Sequence, residues 1–131
     1  ATNQSGIFRG YYDVATLNAM HDKLATLLDE YNVEIDGIEF CAHSPDNICD
    51  CRKPEPGMYL TIAKQAGVSN HSEILVVGDS LRDIQAAQAI GAKPHLVRTG
   101  KGERTIKKNE GLEGIPIYND LADFVNQLLN S

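Results

Sequence analysis

Two carboxylates stand four residues apart where an apolar run ends. The run is Ile74 to Val77, and Gly78 leads from it to Asp79 and Asp83. A carboxylate aimed into a crevice at the end of a buried strand is a good ligand for a hard cation such as Mg²⁺. Helix capping explains the same residues equally well, because Asp and Ser are common where helices begin. The motif predicts a magnesium site, with Asp79 as the stronger ligand and Asp83 as the weaker one.

Two adjacent cations, Arg52 and Lys53, lie on a loop that Pro54 and Pro56 stiffen. Arginine grips phosphate or sugar oxygens with its planar fork, and lysine places a compact charge beside a phosphoryl group. A solvated basic pair is the alternative, because exposed Lys and Arg are frequent. The chain has a net charge of −6, so a phosphorylated substrate needs local cations of this kind.

The first residues include a short polar segment, Thr2, Asn3, Gln4 and Ser5, followed by Gly6. Hydroxyl and amide donors beside a flexible glycine suit a loop that wraps phosphate oxygens. A polar turn accounts for the same composition. The segment is therefore a candidate phosphate loop and no more than that on its own.

Three cysteines and one histidine fall between positions 41 and 51, at Cys41, His43, Cys49 and Cys51. Three thiolates and one imidazole form a set that binds zinc tetrahedrally. Three free thiols beside an unrelated histidine are the alternative. Because four protein ligands leave no open position, the zinc is expected to be structural and to hold Arg52 and Lys53, which directly follow Cys51, in place. A disulfide framework spread along the chain is excluded, since no cysteine lies elsewhere.

The remaining histidines and the basic stretch near position 100 are predicted to have no role in a site. None of the histidines has a nucleophile close in sequence, so they are interpreted as structural or surface residues. The basic stretch is interpreted as a solvated face of a loop. The residues concerned are His21, His71 and His95, and Lys101, Arg104, Lys107 and Lys108.

The elements that position these residues follow from apolar periodicity and from Gly, Pro and capping residues. Helices are expected over 13–31 with Asp13 as N-cap, over 57–66, over 81–90 and from Leu121 onward with Asn119 as cap. Strands are expected over 37–41, 74–77, 95–98 and 115–118, the second of them buried on both faces. The final helix presents an apolar face, Leu121, Phe124, Val125, Leu128 and Leu129. Residues 99–114 are expected to be a mobile loop with one helical turn.

Strands that alternate with helices predict a single α/β domain with a doubly wound parallel sheet and helices on both faces. Ligands of such folds bind beyond the carboxyl ends of the strands, and the three polar clusters all lie there. Composition agrees with one soluble domain, with 42% hydrophobic and 23% charged residues in a chain of 131. No apolar run approaches the length of a membrane span. The net acidity disfavours nucleic acid and anionic lipid as partners, and a cytoplasmic monomer is expected.

In their order and spacing, the clusters resemble the motifs of the haloacid dehalogenase superfamily of phosphatases. Thr2 is similar to its second motif, a hydroxyl at a strand end that hydrogen-bonds the transferring phosphoryl group. Lys53 is similar to its third, and Gly78-Asp79 with Asp83 to its fourth, which binds magnesium. The resemblance implies a magnesium-dependent phosphatase with a haloacid dehalogenase-like fold.

Cys-x-His, Cys-x-Cys-Arg-Lys-Pro and Gly-Asp-Ser-Leu-Arg-Asp resemble the branch of this superfamily that acts on a heptose bisphosphate. The histidinol phosphatases share the zinc loop and are the alternative, but Glu55-Pro56-Gly57-Met58 fits the first branch better. The resemblance implies that Thr2 to Ser5, Arg52 and Lys53 contact a sugar bisphosphate, with Lys53 and Thr2 also catalytic.

One departure from the family pattern concerns the nucleophile. The superfamily carries it in an Asp-x-Asp motif on the central strand, and these 131 residues contain no Asp-x-Asp. We therefore expect that the motif lies on a strand preceding Thr2, that the given residues lack the centre of the sheet, and that they do not catalyse the reaction alone. A zinc-stabilised binding module without catalysis is the alternative from another functional class.

Overall fold

The structure is a computed structural model and describes residues 1–46 and 49–131. In chain order its elements are β1 (Thr2–Asn3), α1 (Ser5–Phe8), α2 (Val14–Asp29), β2 (Phe40–Cys41), α3 (Gly57–Gln65), a 3-10 helix (His71–Glu73), β3 (Leu75–Gly78), α4 (Leu81–Ala89), β4 (Lys93–Val97), α5 (Gly102–Lys108), β5 (Ile117–Tyr118) and α6 (Leu121–Leu129). The alternation of strands and helices confirms the α/β prediction. Among these helices, none is both long and apolar enough to cross a membrane.

All strand pairs of the described residues are parallel, as predicted, but they form two sheets. β1 pairs with β2, with Thr2 opposite Phe40 and Asn3 opposite Cys41. β4 lies between β3 and β5 in the second sheet. Within the described part of the chain, β1 and β3 each pair on one edge only, which agrees with the expectation that the given residues lack the centre of the sheet.

Helix α4 packs with β3 and β4 and organises two apolar clusters. One joins Val76, Ala87 and Ala92. The other joins Ile84, Leu96 and Leu112. Because Ile84 and Ala87 are both fully buried, the rotation of α4 about its axis is fixed. This fixes where the first turn of the helix, next to the end of β3, directs its side chains.

Two predicted caps have different outcomes. Asp13 caps α2 as expected, since its Oδ1 accepts from the Thr16 amide at 2.8 Å. Asn119 does not cap α6. Asp120 is the N-cap there, accepting from the Asp123 amide at 2.7 Å, while the Asn119 amide donates to the Asp123 carboxylate.

Several predicted boundaries and faces are wrong in identifiable ways. Helix α5 lies in the segment 99–114, which was expected to be a loop with one helical turn. The Thr105 hydroxyl donates to the Lys101 carbonyl at the start of this helix and to the Asp79 carbonyl outside it, and both bonds stabilise α5. The strand expected over 37–41 is reduced to Phe40–Cys41, next to a β1 of equal length. Short α1 and the 3-10 helix were not predicted.

Burial also departs from two expectations. In β3, Val76 is buried but Leu75 is 39% exposed, so the strand is not covered on both faces. In α6, Phe124 is the buried member of the predicted apolar face. Its other members, Leu121, Val125, Leu128 and Leu129, are exposed. In both elements apolar side chains face positions that the described residues do not fill.

Candidate active site

A cavity of about 690 Å³ lies at the carboxyl end of β3 and brings three predicted site residues together. Lys53, Asp79 and Asp83 line its polar end. Most of the other wall is apolar and comes from α3, β3 and the segments beside them, including Tyr59, Ile62, Ala63, Val68 and Val76. The lysine and the acidic strand tip therefore face the same crevice, as the sequence motifs require.

Lys53 is bound directly to Asp83. The ammonium lies 2.5 Å from the Asp83 Oδ1, and the two side chains are 13% and 8% exposed. The same ammonium donates to the carbonyl of Ala1 at 3.2 Å. In a partly desolvated setting such a pair holds the ammonium in one place.

The second oxygen of Asp83 completes a capping box at the start of α4. Its Oδ2 accepts from the amide and the hydroxyl of Ser80, at 3.2 and 2.9 Å, and from the Asp79 amide at 3.2 Å. Burial raises the pKa of Asp83, but the hydrogen bonds and charge of Lys53, with the donors of Ser80, outweigh it and hold the pKa below its ordinary value. Asp83 is thus ionised and fully engaged with protein donors.

The backbone of Lys53 is clamped by Asn3. The Lys53 amide donates to the Asn3 Oδ1 at 3.0 Å, and the Asn3 Nδ2 donates to the Lys53 carbonyl at 3.2 Å. This pair of bonds ties β1 to a loop 50 residues away. Asn3 was a candidate phosphate ligand, but the structure uses both of its amide atoms to position Lys53.

The other polar residues near β1 form a second small network. Gln4 donates through Nε2 to the Thr2 hydroxyl at 2.9 Å, and its Oε1 accepts from the Tyr12 hydroxyl. Ser5 is the first residue of α1. Thr2 keeps its hydroxyl hydrogen for another acceptor, since it accepts from Gln4 in this network. Sequence analysis missed Tyr12, which carries no motif signal of its own.

Asp79 is held by residues that sequence analysis had assigned to a solvated loop. The Lys101 amide donates to the Asp79 Oδ2 at 2.9 Å, and the Thr105 hydroxyl donates to the Asp79 carbonyl at 2.8 Å. Gly100 has a φ of +60°, and a side chain there would meet the Asp79 carboxylate. A glycine in the turn after a strand, three residues beyond the end of β4, is the one sequence signal that could have indicated this contact.

The four predicted zinc ligands converge. The ligand atoms of Cys41, His43, Cys49 and Cys51 all lie within 4.8 Å of one another. The Cys41 and Cys49 sulfurs are 3.9 Å apart, and the His43 Nδ1 lies 3.4 Å from the Cys41 sulfur and 3.2 Å from the Cys51 sulfur. Sulfurs bound tetrahedrally at the usual zinc distance are about 3.8 Å apart, which matches this spacing. The three cysteines are free thiols.

Protonation of these thiols reflects their crowding. Burial raises the pKa of Cys49, but backbone donors at Arg52 and Cys51 and the neighbouring thiols lower it to about 7. Burial raises the pKa of Cys51 to about 12, with further contributions from Cys41 and Cys49. Ionisation of one thiol thus opposes ionisation of the next. A divalent cation would remove this repulsion by offsetting the negative charge of the thiolates.

Arg52 is placed by the same segment. Its Nη1 donates to the His43 carbonyl at 3.4 Å, and its side chain lines a cleft together with Lys53 and Arg82. The other histidines lie away from the Lys53 cavity. His95 packs against Phe124 with ring centroids 4.8 Å apart, and His21 lies 6.5 Å from the Phe40 ring.

A parallel α/β fold with a lysine and two aspartates in one cavity at the strand ends defines a class of enzymes that transfer phosphoryl groups. The family model described as HAD-hydrolase-like matches residues 50–124, which include Lys53, Asp79 and Asp83. The chain belongs to this family of hydrolases.

Similar proteins agree on one activity. The D-glycero-beta-D-manno-heptose-1,7-bisphosphate 7-phosphatase of Pseudomonas putida is 49% identical over 133 residues, covering 98% of this chain and 73% of that protein. The protein of the same name from Pseudomonas aeruginosa is 51% identical over 129 residues and covers 98% of this chain and 71% of its own length.

A solved structure shows the same fold. The crystal structure of D,D-heptose 1,7-bisphosphate phosphatase from Bordetella bronchiseptica, complexed with magnesium and phosphate, superposes with a TM-score of 0.93 at 47% identity. It covers 98% of this chain, which in turn covers 71% of it.

Proposed function

We propose that the protein is a phosphatase that removes the C7 phosphate from D-glycero-D-manno-heptose 1,7-bisphosphate. The relatives with 49% and 51% identity carry this activity in their names. The observation that carries the proposal is the ion pair of Lys53 and Asp83 at the polar end of the cavity that Asp79 also lines. The polar end of this cavity suits a phosphoryl group held between a cation and an acidic metal site.

Lys53 offsets negative charge on the phosphoryl oxygens, and its position is set from two sides. Asn3 fixes its backbone and Asp83 fixes its ammonium. The Thr2 hydroxyl, oriented by Gln4, donates to a phosphoryl oxygen. Arg52 binds a more distant part of the substrate. The segment that contains Thr2 is supported by Asn3, Gln4 and Ser5. Asn3 acts through the backbone of Lys53, which it holds in place.

The donors present fit a magnesium ion. Asp79 offers a hard carboxylate oxygen at a strand end and lines the cavity, with its other oxygen fixed by the Lys101 amide. Asp83 is the weaker candidate because its oxygens already accept from Lys53, Ser80 and Asp79. When bound, Mg²⁺ supplies positive charge that offsets the charge of the phosphate oxygens.

The donors of Cys41, His43, Cys49 and Cys51 fit a structural zinc ion. Their mutual distances match tetrahedral ligation, and four ligands leave no position for substrate. When bound, Zn²⁺ cross-links the two ends of the loop. Cys51 directly precedes Arg52 and Lys53, so the cross-link would also restrain the two cations.

The nucleophile is proposed to lie on a strand between β1 and β3, outside these 131 residues. The free edges of these strands and the mainly apolar cavity lined by β3 and α3 support a buried parallel strand at this place. In this family, one aspartate of an Asp-x-Asp on that strand would attack the phosphorus and break its bond to the sugar oxygen, which the other aspartate would protonate. Water, deprotonated by that second aspartate, would then hydrolyse the phosphoaspartate to phosphate. The 131 residues are accordingly proposed to be inactive alone.

The proposal is tested with the protein expressed from its complete gene. Phosphate release is measured from heptose 1,7-bisphosphate and, in parallel, from histidinol phosphate. We expect turnover of the first, and a fall in kcat of about a hundredfold or more in Lys53→Met. Lys64→Met, an exposed lysine on α3, is the control with the same change of charge. Faster turnover of histidinol phosphate, or turnover of neither compound, would contradict the proposal.

A further inference from the structure

A second cleft, of about 380 Å³, lies beside Asp79 and is lined by four cations. Arg82 comes from the first turn of α4, Lys101 from the turn after β4, and Arg104 and Lys108 from α5. The cleft therefore lies at the carboxyl ends of β3 and β4, where ligands of parallel sheets bind. Sequence analysis had placed Lys101, Arg104 and Lys108 on a solvated face without a role.

The positive charge of this cationic cleft is not neutralised by the protein. The ion pairs found among residues 1–46 and 49–131 are Lys53–Asp83 and Arg98–Glu103, and neither involves the four cations. Glu110 is the acidic residue in the wall, and it takes part in neither of these two ion pairs. Four of the twelve Lys and Arg residues thus converge in a chain of net charge −6. Their mutual repulsion is relieved when an anion binds between them.

The cationic cleft adjoins the proposed catalytic position. The Lys101 amide bonds the Asp79 carboxylate, and Thr105, also in the wall, bonds the Asp79 carbonyl. Arg82 precedes Asp83, the partner of Lys53, and also lines the cleft that holds Arg52 and Lys53. The cationic cleft and the Lys53 cavity therefore border the same turn, the one that contains Asp79.

We infer that the cationic cleft binds a phosphate group, the one that the enzyme leaves on its bisphosphate substrate. The inference rests on the proposed function for the identity of that phosphate, but the cleft itself is defined independently by its four cations. Guanidinium forks bind phosphate oxygens in pairs, and lysines add charge, so two Arg and two Lys suit a dianion. The four cations are exposed to solvent and therefore accessible to such an anion, and Lys107 on the same helix as Arg104 does not line the cleft.

Phosphate binding is the first test. The full-length protein in a Lys53→Met background, which weakens the catalytic position, is titrated with inorganic phosphate by calorimetry without added magnesium. Arg104→Ala with Lys108→Ala is expected to weaken binding by about tenfold or more, the loss of charge-assisted hydrogen bonds. Lys93→Ala with Lys107→Ala removes the same charge outside the cleft and is expected to change binding by about twofold or less. Equal effects of the two pairs would overturn the inference.

Steady-state kinetics then test whether the phosphate group that binds in the cationic cleft belongs to the substrate. With Lys53 intact, the Arg104→Ala and Lys108→Ala pair is expected to raise KM for the bisphosphate about tenfold and leave kcat within about twofold. KM for a heptose carrying only the phosphate to be removed is expected to stay unchanged. A KM for the bisphosphate that does not move would show that the cleft does not hold the substrate's second phosphate. If the wild-type protein hydrolyses neither compound, the proposed function fails while the titration still decides the cleft.

Discussion

At the scale of single residues, the site depends on Asp83, whose two carboxylate oxygens bind different partners. One holds the Lys53 ammonium and the other closes the capping box of α4. The residue types of the site could be predicted from the sequence, because strand-end acids and loop cations have recognisable neighbours. Their pairing could not, since Lys53 and Asp83 are 30 positions apart and no local pattern relates them.

Asp83→Asn keeps the shape of the side chain and removes its charge. We expect it to lower the free energy of unfolding by about 3 to 5 kcal/mol, because Lys53 loses the partner of a buried pair. Asp123→Asn is a matched control, since Asp123 is also an N3 residue that accepts a backbone amide. It is only half-buried, and it is in neither of the ion pairs found among residues 1–46 and 49–131. Urea unfolding measures both. Equal losses in the two variants would show that the ion pair adds nothing.

The same pair makes a prediction about pH. The pKa of Asp83 in the folded protein lies below its ordinary value, so its contribution to stability is fully present above the ordinary carboxyl pKa of about 4. The contribution is lost as the pH falls through the folded pKa. The stability difference between wild type and Asp83→Asn is therefore expected to be constant from pH 7 to pH 5 and to shrink below about pH 4. A difference that grows on acidification would contradict this assignment.

Gly78 is required where β3 passes Asp83. A Cβ on Gly78 would lie 2.5 Å from the Asp83 Oδ2 and would push the carboxylate away from Lys53. Gly78→Ala is expected to lower kcat about tenfold or more and to destabilise by about 1 to 3 kcal/mol. Gly37→Ala, where a Cβ meets nothing within 4 Å, is the control. Wild-type turnover in Gly78→Ala would show that the position of the Asp83 carboxylate does not affect catalysis.

At the scale of elements, helices with a clear apolar face were predicted well and short elements were not. Asp13, Gly67 and Gly91 mark the ends of α2, α3 and α4 because capping and positive φ are local properties. α5 was predicted only as one helical turn in a loop, because it is polar and is stabilised by Thr105 and Asp79, a contact across 26 residues. The convergence of Cys41, His43, Cys49 and Cys51 was predicted from spacing alone, since these residues lie close in sequence.

The zinc loop is expected to position Arg52 and Lys53 as a unit. His43→Ala removes one ligand and is expected to lower the zinc content of the purified protein and to reduce turnover about tenfold to a hundredfold. His71→Ala, a histidine of the 3-10 helix outside the cluster, is expected to retain both. Atomic absorption and phosphate release are measured on the same samples. Zinc-free protein with full turnover would show that the loop does not position the cations.

At the scale of the whole molecule, the sequence predicted the class of fold and a sheet without its centre, which agrees with the two separate sheets of the described residues, but it did not predict how exposed β3 is. A continuous apolar run at 74–77 was interpreted as a strand covered on both faces, yet Leu75 is 39% exposed and β3 has one free edge. Periodicity reports the environment of the complete protein, whereas exposure is measured on the described residues. The difference therefore marks the place where a further element is expected to pack.

If a parallel strand carrying the nucleophile lies between β1 and β3, every amide of β3 has a hydrogen-bond acceptor. Alternate residues of a strand direct their amides to opposite edges, so β4 alone can protect only part of Leu75–Gly78. In the full-length protein we expect slow hydrogen exchange at all four amides, equal to that of His95, Leu96 and Val97 in β4, which lies between two strands. An alternating pattern of slow and fast exchange along β3 would show that no strand lies between β1 and β3. The nucleophile would then have to come from another part of the protein.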